Sequence, residues 1–337
     1  MRSILGSPVF ASSGTHRAPA PDPARKLEGM PYSAPLYDRA PSAPPVPSGL
    51  PLVIALTGFT DAGGAVTRLV EYFRNDLEPH ALVAFDNDTL LDYRARRPLI
   101  TFVEDHLTDY RPPRLELSLA HDSLGSPFLL LAGYEPDFLW EAFAESVLEL
   151  AAGLQVSSVT WVHAIPLPVP HTRPIGTTVS GTRSDLAEAH SVWRPHTQVP
   201  STAGHLLEYR FAEAGAKVTG FALLVPHYLA DTEYPAATLA ALDSLTVATG
   251  LVFSGEVLRE ENREFLAKVT EQVTGSEELT RMLQGLEERY DSYMAGSTQA
   301  TPIIHTGDLP SADELAAELE RFLASGAGDD DRRGPLG

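Results

Sequence analysis

The chain has 337 residues and no cysteine, and its 45 Asp and Glu against 25 Lys and Arg give a formal net charge of −20. The missing cysteines exclude disulfides, thiolate nucleophiles and cysteine-ligated metal centres. The negative charge argues against nucleic acid and anionic membranes as partners, because both bind to a basic face.

Hydrophobic residues make up 43% of the chain, which is enough for a sizeable core. No apolar run approaches the roughly 18 residues that a membrane span needs, and the first residues lack a signal-peptide core. We therefore expect a soluble, cytoplasmic protein, and no motif in the chain calls for a cofactor.

The composition divides the chain into four segments. Residues 1–49 hold ten of the 28 prolines, and we expect them to form a disordered extension. Residues 50–253 predict a core domain of alternating strands and helices. Residues 254–326 predict a small helical C-terminal part, and residues 327–337 a disordered acidic tail.

Within the core domain, apolar runs alternate with helical patterns, which is typical of βαβ units and a mostly parallel sheet. Right-handed crossovers between parallel strands place helices on both faces of such a sheet. The predicted strands are 52–57, 81–85, 115–119, 128–132, 159–162 and 218–225. The predicted helices are 62–76, one opened by Pro136 that runs to about residue 154, 201–214, 235–247, 256–273, 277–294 and 313–323.

Polar residues follow the predicted strands, at the edge where open α/β sheets bind ligands. They make one candidate ligand or partner site if they converge, and they are ordinary loop residues if they do not. The candidates are Asp61, Gly63 and Gly64 after the first strand, Asp86 and Asp88 after the second, Glu135, His163 and His227.

The Gly58–Gly64 turn has neither the spacing of a dinucleotide fingerprint nor the Lys of a P-loop. Free N–H groups at the start of the following helix could hold an anion. Asp61 beside them would repel that anion, so we favour a helix cap over a phosphate cradle.

The segment His163–Pro174 has four prolines at positions 166–174, which impose a stiff, extended conformation. It either presents His171, Thr172 and Arg173 to a ligand or partner subunit, or connects two elements across a sheet edge. Six of the 11 histidines lie between residues 163 and 227, but none has metal-ligand spacing, so no metal site is predicted. The basic run Tyr93–Pro98 could bind a phosphate or an acidic surface, or be a solvated loop.

An ordered set of motifs resembles the bacterial branch of the proteasome assembly chaperone family of the second type, over roughly residues 50–295. These motifs are Gly58-Phe-x-Asp-Ala-Gly-Gly-Ala65, Phe85-Asp-x-Asp-x-Leu-x-Asp-Tyr-Arg94, Pro127-Phe-Leu-Leu-Leu-x-Gly-x-Glu-Pro-Asp137 with Trp140, Val169-Pro-His-Thr-Arg-Pro174 and Val225-Pro-His-Tyr-Leu229.

The resemblance implies a three-layer α/β/α sandwich with a mostly parallel central sheet, similar to nucleoside phosphorylases, plus a small helical C-terminal part. It also implies homo-oligomers, trimers among them. Eukaryotic members of the family chaperone the assembly of proteasome α-rings. No catalytic residues are established for the family, so none carries over to this chain.

The residues and the resemblance therefore leave two main functions open. The first is a non-enzymatic, oligomeric interaction protein of the assembly-chaperone type, with a protein partner related to the proteasome. The second is a phosphorylase- or hydrolase-like enzyme that binds a nucleoside or nucleotide at Asp61, Asp86, Asp88, His163 and His227, with Arg173 or Arg94 on the anion. A third reading is an oligomer with a vestigial pocket.

Overall fold

The computed structural model describes residues 36–194 and 196–296. Ten strands are present in this part of the chain: β1 (Tyr37–Arg39), β2 (Pro51–Thr57), β3 (His80–Phe85), β4 (Leu99–Val103), β5 (His106–Arg111), β6 (Glu116–His121), β7 (Pro127–Tyr134), β8 (Ser158–Leu167), β9 (Gly176–Gly181) and β10 (Val218–Pro226). The helices are α1 (Ala65–Asp76), α2 (Asn87–Leu90), α3 (Trp140–Gly153), α4 (Ser184–His190), α5 (Ala203–Glu213), α6 (Pro235–Thr249), α7 (Glu256–Thr274) and α8 (Glu277–Gly296).

Eight of the strands form one sheet in the order β1-β3-β6-β7-β2-β8-β10-β9. The central strands β7, β2, β8 and β10 are parallel neighbours. β3 runs in the same direction, whereas β1, β6 and β9 run against it. The fold is therefore a mixed α/β structure whose sheet is mostly parallel by strand direction.

Helices pack on both faces of the sheet, because the central strands are apolar on both sides. On β2, Val53 and Ala55 belong to a buried cluster with α1 and α6. Leu52 and Ile54, which alternate with them, belong to a second cluster with α3 and α5. A strand that is covered on both faces reads as a continuous apolar run, which explains why β2 was predictable from the sequence.

The six predicted strands are all confirmed, with one consequential shift. β8 extends to Leu167 rather than ending at residue 162, because it continues to pair with β10 as far as Leu167↔Pro226. His163 therefore lies inside a strand, opposite Ala222, and not in the loop after it.

The prediction that Pro136 opens a helix is wrong. α3 begins at Trp140, directly after Leu139, whose φ of 56° is left-handed. The N–H groups of Asp137 and Phe138 donate to the carbonyl of Leu90, so these residues form a loop that bonds to another part of the chain.

The sheet also begins earlier than predicted. Leu36 is buried and Tyr37–Arg39 pair with β3, so the expected disorder of residues 1–49 is wrong for this part of the segment. Pro35 and Pro41 flank this short strand and do not interrupt it. Residues 1–35, the predicted helix 313–323 and the predicted tail 327–337 lie outside the described residues.

The C-terminal helices α7 and α8 follow the last strand of the sheet. Leu258 and Val269 bury one side of α7 in the cluster that contains α1 and α6. Arg68 of α1 donates to both carboxylate oxygens of Glu261 at 2.9 Å, which fixes α7 against α1. No helix in the described ranges is long and apolar enough to cross a membrane.

Candidate functional site at the carboxyl ends of the strands

The carboxyl ends of β2, β3, β7, β8 and β10 point to the same edge of the sheet, as the strand directions require. The candidate residues lie along this edge in several separate groups. The hydrogen bonds of each group decide which of its side chains remain available for a ligand.

Asp61 is fully engaged by the first turn of α1. Its Oδ1 accepts from the Val66 N–H at 2.7 Å, and its Oδ2 accepts from the Thr67 N–H at 2.8 Å and the Thr67 hydroxyl at 2.7 Å. The predicted capping role is thus observed, with the carboxylate four residues before the helix. A negative charge at this position is stabilised by the helix dipole and disfavours a bound anion.

Gly63 and Gly64 form a left-handed turn between Asp61 and the helix, with φ values of 71° and 60°. Gly63 also exchanges hydrogen bonds with the chain beyond β10, donating to Ala230 at 2.7 Å and accepting from Tyr234 at 2.9 Å. A side chain at Gly63 would meet the Tyr234 Cβ at 3.1 Å. Gly63 therefore serves a close backbone approach, and both glycines allow the left-handed turn.

Glu135 is a buried bridge between three segments. Its Oε1 accepts from the Phe59 N–H in the loop after β2, and its Oε2 accepts from the Ala203 N–H at the start of α5, both at 2.9 Å. A Cβ on Gly58 would lie 2.2 Å from Oε1, so only glycine fits beside the carboxylate. Both oxygens already have donors from the fold.

Asp86 and Asp88 organise the loop after β3. Asp86 caps the short helix α2, accepting from the Asp88 N–H at 3.1 Å and from the Thr89 hydroxyl at 2.6 Å. Asp88 accepts from the Tyr93 hydroxyl at 2.7 Å, and this hydrogen bond raises the pKa of Tyr93 to about 12. The two carboxylates therefore hold the chain that leads towards β4.

Asp137 joins this loop to the segment between β7 and α3. It accepts from the Asp92 N–H at 2.7 Å and forms an ion pair with Arg96. The Arg96 guanidinium lies over the Tyr134 ring, 5.5 Å from its centroid. Arg94 pairs with Asp92. Of the predicted basic run, the first two arginines are thus bound within the protein.

His163 lies in an aromatic cluster beneath α5. Its ring stacks on Trp161 at 4.6 Å and meets His205 edge-on at 4.9 Å. The Trp161 indole N–H donates to Glu208 at 2.6 Å, and the Ser180 hydroxyl donates to the same oxygen at 2.8 Å. Burial lowers the pKa of His163 to about 3 and raises the pKa of Glu208. His163 is therefore neutral at physiological pH.

Sequence reasoning did not associate Trp161 and Glu208 with His163. The signal that could have found Trp161 is its spacing of two from His163, which puts both side chains on the same face of a strand. Glu208 comes from a helix 45 residues later, and no local pattern links it to β8.

Arg173 and Thr172 are bound to α8. Arg173 donates from Nε and Nη2 to the two carboxylate oxygens of Asp291, at 2.9 and 2.6 Å, and lies 3.4 Å from Glu287. The hydrogen bond to Asp291 raises the pKa of Arg173. Thr172 donates its hydroxyl to Glu287. The proline segment 166–174 thus contacts α8 through Thr172 and Arg173.

His171 and His227 lie on either side of Tyr228, next to the proline segment. The backbone N–H of His171 donates to the Tyr228 hydroxyl at 2.8 Å, and its ring Nδ1 lies 2.8 Å from the same oxygen. The His227 ring meets the Tyr228 ring edge-on at 5.4 Å. Burial lowers the pKa of both histidines and raises that of Tyr228.

The structure thus brings the candidates to one edge without joining them into one site. In residues 36–194 and 196–296, no hydrogen bond links a candidate carboxylate to a candidate histidine. A small cavity in the core is lined by apolar residues, among them Leu52, Phe85 and Val147, and by none of the candidates. Within the same ranges, no three His, Asp or Glu side chains are placed to hold a metal ion.

Comparison with known proteins identifies the family. The model of the PAC2 family matches residues 55–273, which is well over half of the chain. The chain belongs to the PAC2 family. This confirms the family that the sequence motifs indicated. No curated protein matches the chain.

Solved structures that resemble this chain cover most of its length. A Mycobacterium tuberculosis protein of unknown function is 40% identical, with 80% of this chain and 94% of that chain covered and a TM-score of 0.72. A Corynebacterium glutamicum protein of unknown function is 32% identical, with 77% and 98% covered and a TM-score of 0.74. A proteasome-assembly chaperone homologue of M. tuberculosis shares the fold at 23% identity, with 69% and 100% covered and a TM-score of 0.63.

The PAC2 motifs of this chain meet in three dimensions at two of the contacts described above. Gly58–Ala65 contains the Gly58 that admits Glu135 and the Asp61 that caps α1. The segments Val169–Pro174 and Val225–Leu229 meet where His171 contacts Tyr228. In this PAC2 protein, the motifs therefore build the strand edge.

Proposed function

We propose that this PAC2 protein is a non-enzymatic, homo-oligomeric interaction protein, a proteasome-assembly-chaperone-like factor of the cytoplasm. The observation that carries the proposal is that the fold itself occupies the polar side chains of the strand edge. Asp61 and Glu135 accept only from backbone and hydroxyl groups of their own chain, and Arg173 is paired with Asp291. These side chains support the surface, whereas the buried ring Nδ1 atoms of His163 and His227 have no hydrogen-bond partner among the described residues.

We further infer a three-layer α/β/α sandwich of the nucleoside phosphorylase type for residues 50–253, followed by a small helical C-terminal part that begins at residue 254 and includes α7 and α8. The two buried clusters on opposite faces of the sheet support the layered arrangement. Fold alone does not carry the phosphorylase reaction to this chain, because function resides in the site and not in the architecture.

The enzymatic alternative requires an anion-binding cation and a titrating acid or base at the strand edge. Arg173, the proposed anion ligand, already makes a bidentate ion pair with Asp291. His163 has a pKa of about 3 because of its burial, so it does not exchange a proton near neutral pH. These features favour the interaction protein over the enzyme.

For the partner, we infer a protein related to the proteasome, as the chaperone homologue of M. tuberculosis suggests. The net charge of −20 favours a partner surface with basic groups, and attraction between exposed charges is screened by salt. The full chain, mixed with purified proteasome α subunits of its own organism, should co-elute with them in gel filtration. The complex should weaken between 50 and 500 mM salt.

A thermal-shift screen of the full chain against nucleosides, nucleotides and phosphate at about 1 mM tests the alternative. A ligand at ~100 times its dissociation constant would stabilise the fold by about 2.7 kcal/mol. We expect no shift. No complex with α subunits, together with a shift that Arg173→Ala abolishes, would replace the proposal with the enzyme. Glu288→Ala, an exposed carboxylate on α8, is the matched control.

A further inference from the structure

The three segments that meet at the buried carboxylate of Glu135 each carry one exposed apolar side chain. Phe59, in the loop after β2, is 69% exposed, and Phe138, in the loop before α3, is 49% exposed. Val199, in the chain that leads into α5, is 61% exposed. We call these three residues the edge patch. Exposed apolar side chains that are grouped on a surface mark a site of interaction with another molecule.

The fold holds the backbone of the edge patch in place. Oε1 of Glu135 accepts from the N–H of Phe59, and Oε2 accepts from the N–H of Ala203 at the start of α5, both at 2.9 Å. The N–H of Phe138 donates to the carbonyl of Leu90 at 3.2 Å. These hydrogen bonds order the three segments before a partner arrives, which lowers the entropic cost of binding.

Phe59 differs from the other residues of its PAC2 motif, which serve the fold. Gly58 leaves room for Glu135, Asp61 caps α1, and the two alanines of the motif are buried. The ring of Phe59 lies largely in water. A phenylalanine ring gains free energy when it is removed from water, so a contact outside this chain accounts for its place in the motif.

The charged groups that adjoin the loop of Phe59 are carboxylates. Gly63, in the same loop, exchanges hydrogen bonds with both ends of the segment 230–234 and so brings this segment against the loop. The segment contains Asp231 and Glu233, which are both exposed and have no ion-pair partner in the described part of the chain. Free carboxylates next to an apolar ring complement a partner surface on which basic side chains flank an apolar pocket.

We propose that the edge patch is the surface through which this protein binds its protein partner, with the ring of Phe59 in an apolar pocket that Lys or Arg side chains of the partner flank. The inference rests on the proposed function and names its contact surface. Phe138 and Val199 exclude water around the ring. A rigid aromatic anchor within a ring of water-excluding contacts is the usual arrangement of a binding hot spot.

A second copy of this chain fits the edge patch less well than a different protein does. A two-fold contact would bring the same surface of both copies together. Asp231 and Glu233 would then face the same carboxylates of the other copy, and like charges that meet at an interface are unfavourable. Each copy also has a net charge of −20. We therefore assign the edge patch to a different protein with basic groups.

Alanine substitutions in the full chain test the edge patch, with purified proteasome α subunits of its own organism as the probe. Phe59→Ala should raise the dissociation constant about tenfold or more in isothermal titration calorimetry, and Phe138→Ala should raise it several-fold. Leu124→Ala is the matched control. Leu124 is 75% exposed in the turn between β6 and β7, at the opposite edge of the sheet, so its removal should leave the dissociation constant unchanged.

A charge reversal tests the basic groups of the partner. Asp231→Lys combined with Glu233→Lys should slow association with the α subunits about fivefold at 50 mM salt, and the difference should shrink at 500 mM salt. The control combines Glu271→Lys with Glu278→Lys, which changes the net charge equally at exposed positions of α7 and α8. Equal association rates in the two double variants contradict the proposed position of the basic groups.

Two properties of Phe59→Ala on its own test the other possible occupants of the edge patch. Its melting temperature should equal that of the wild-type chain, because an exposed side chain contributes little to stability. A clearly lower melting temperature would mean that a segment of this chain covers the ring. A lower mass in analytical ultracentrifugation would mean that a second copy covers it. Either result overturns the proposal.

The affinity of the wild-type chain separates this inference from the proposed function. We expect the wild-type chain and Leu124→Ala to bind the α subunits equally and Phe59→Ala to bind them more weakly. If all three bind equally, the proposed function stands and the edge patch is not its contact surface. If the wild-type chain does not bind the α subunits at all, both the edge patch and the proposed partner are wrong.

Discussion

At the scale of single residues, a substitution of Asp61 tests whether its carboxylate stabilises α1 or binds a partner directly. Asp61→Ala removes the three hydrogen bonds to Val66 and Thr67, so the free energy of unfolding should fall by about 1 kcal/mol. Urea denaturation measures this loss. Asp231→Ala, at an exposed position in the loop before α6, should change the stability by less than about 0.5 kcal/mol. Unchanged stability in Asp61→Ala combined with lost partner binding would point to a direct binding role.

His163 makes the stability of the protein depend on pH. Burial lowers its folded pKa to about 3, while its unfolded pKa is about 6.5. Between these values the unfolded chain binds the extra proton, so stability falls as the pH drops below 6.5 and the loss is complete near pH 3. At pH 5 the expected loss is about 2 kcal/mol.

His163→Phe keeps an aromatic ring against Trp161 and removes the titrating group. The difference in unfolding free energy between pH 7 and pH 5 should shrink by about 2 kcal/mol in this variant. Some acid sensitivity should remain, because burial also lowers the pKa of His171, His205 and His227. An identical pH dependence in the two proteins would show that His163 is accessible to protons in the folded state.

At the scale of elements, the ion pair of Arg173 with Asp291 should govern the opening of α8. Arg173→Ala should raise the hydrogen exchange of α8 several-fold, because a bidentate contact is lost. Arg281→Ala is the control, since the one hydrogen bond of the Arg281 side chain within the described residues goes to a carbonyl of its own helix. Equal exchange in the two variants would mean that the other contacts of α8 hold the helix, among them buried Leu286 and the hydrogen bond from Thr172 to Glu287.

The elements that could be predicted are those whose burial leaves a pattern of apolar side chains in the sequence. β2, β7 and β10 are covered on both faces and appear in the sequence as unbroken apolar runs. β9 and β5 are polar or fully exposed, and they are held by backbone pairing, which leaves no pattern in the side chains. For the same reason, the start of α3 was misplaced, since the bonds from Asp137 and Phe138 to Leu90 are long-range.

The positions of the candidate residues at the strand ends could be predicted from the sequence, but their hydrogen-bond partners could not. The rule that ligands bind at the carboxyl ends of strands correctly placed Asp61, Glu135 and His227 along one edge. It could not tell that Glu135 bonds to Ala203 or that Arg173 pairs with Asp291, because those partners lie 68 and 118 residues away. Tertiary contacts decided which polar groups stayed free.

At the scale of the whole molecule, the two buried clusters share the strands of one sheet and should unfold together. Phe73 lies in the cluster with α1, and Phe143 in the cluster with α3. Each is at most 1% exposed, so Phe73→Ala and Phe143→Ala should each lower the unfolding free energy by about 3–5 kcal/mol. Circular dichroism and Trp fluorescence should report one common midpoint in both variants. Separate midpoints would mean that the faces unfold independently.

The place of β2 in the sheet has a consequence for synthesis on the ribosome. The strands on one side of β2 precede Tyr134 in the chain, whereas β8, its neighbour on the other side, begins only at Ser158. The first half-sheet can therefore assemble while Leu52–Ile54 still lack their second partner. At a synthesis rate of about 5–20 residues per second, β8 begins to be made roughly 1–5 s after β7, and this apolar edge stays unpaired until then. The nascent chain thus passes through a stage in which it presents an open edge of its own, and that is the stage at which we expect it to depend on the chaperones of the cell.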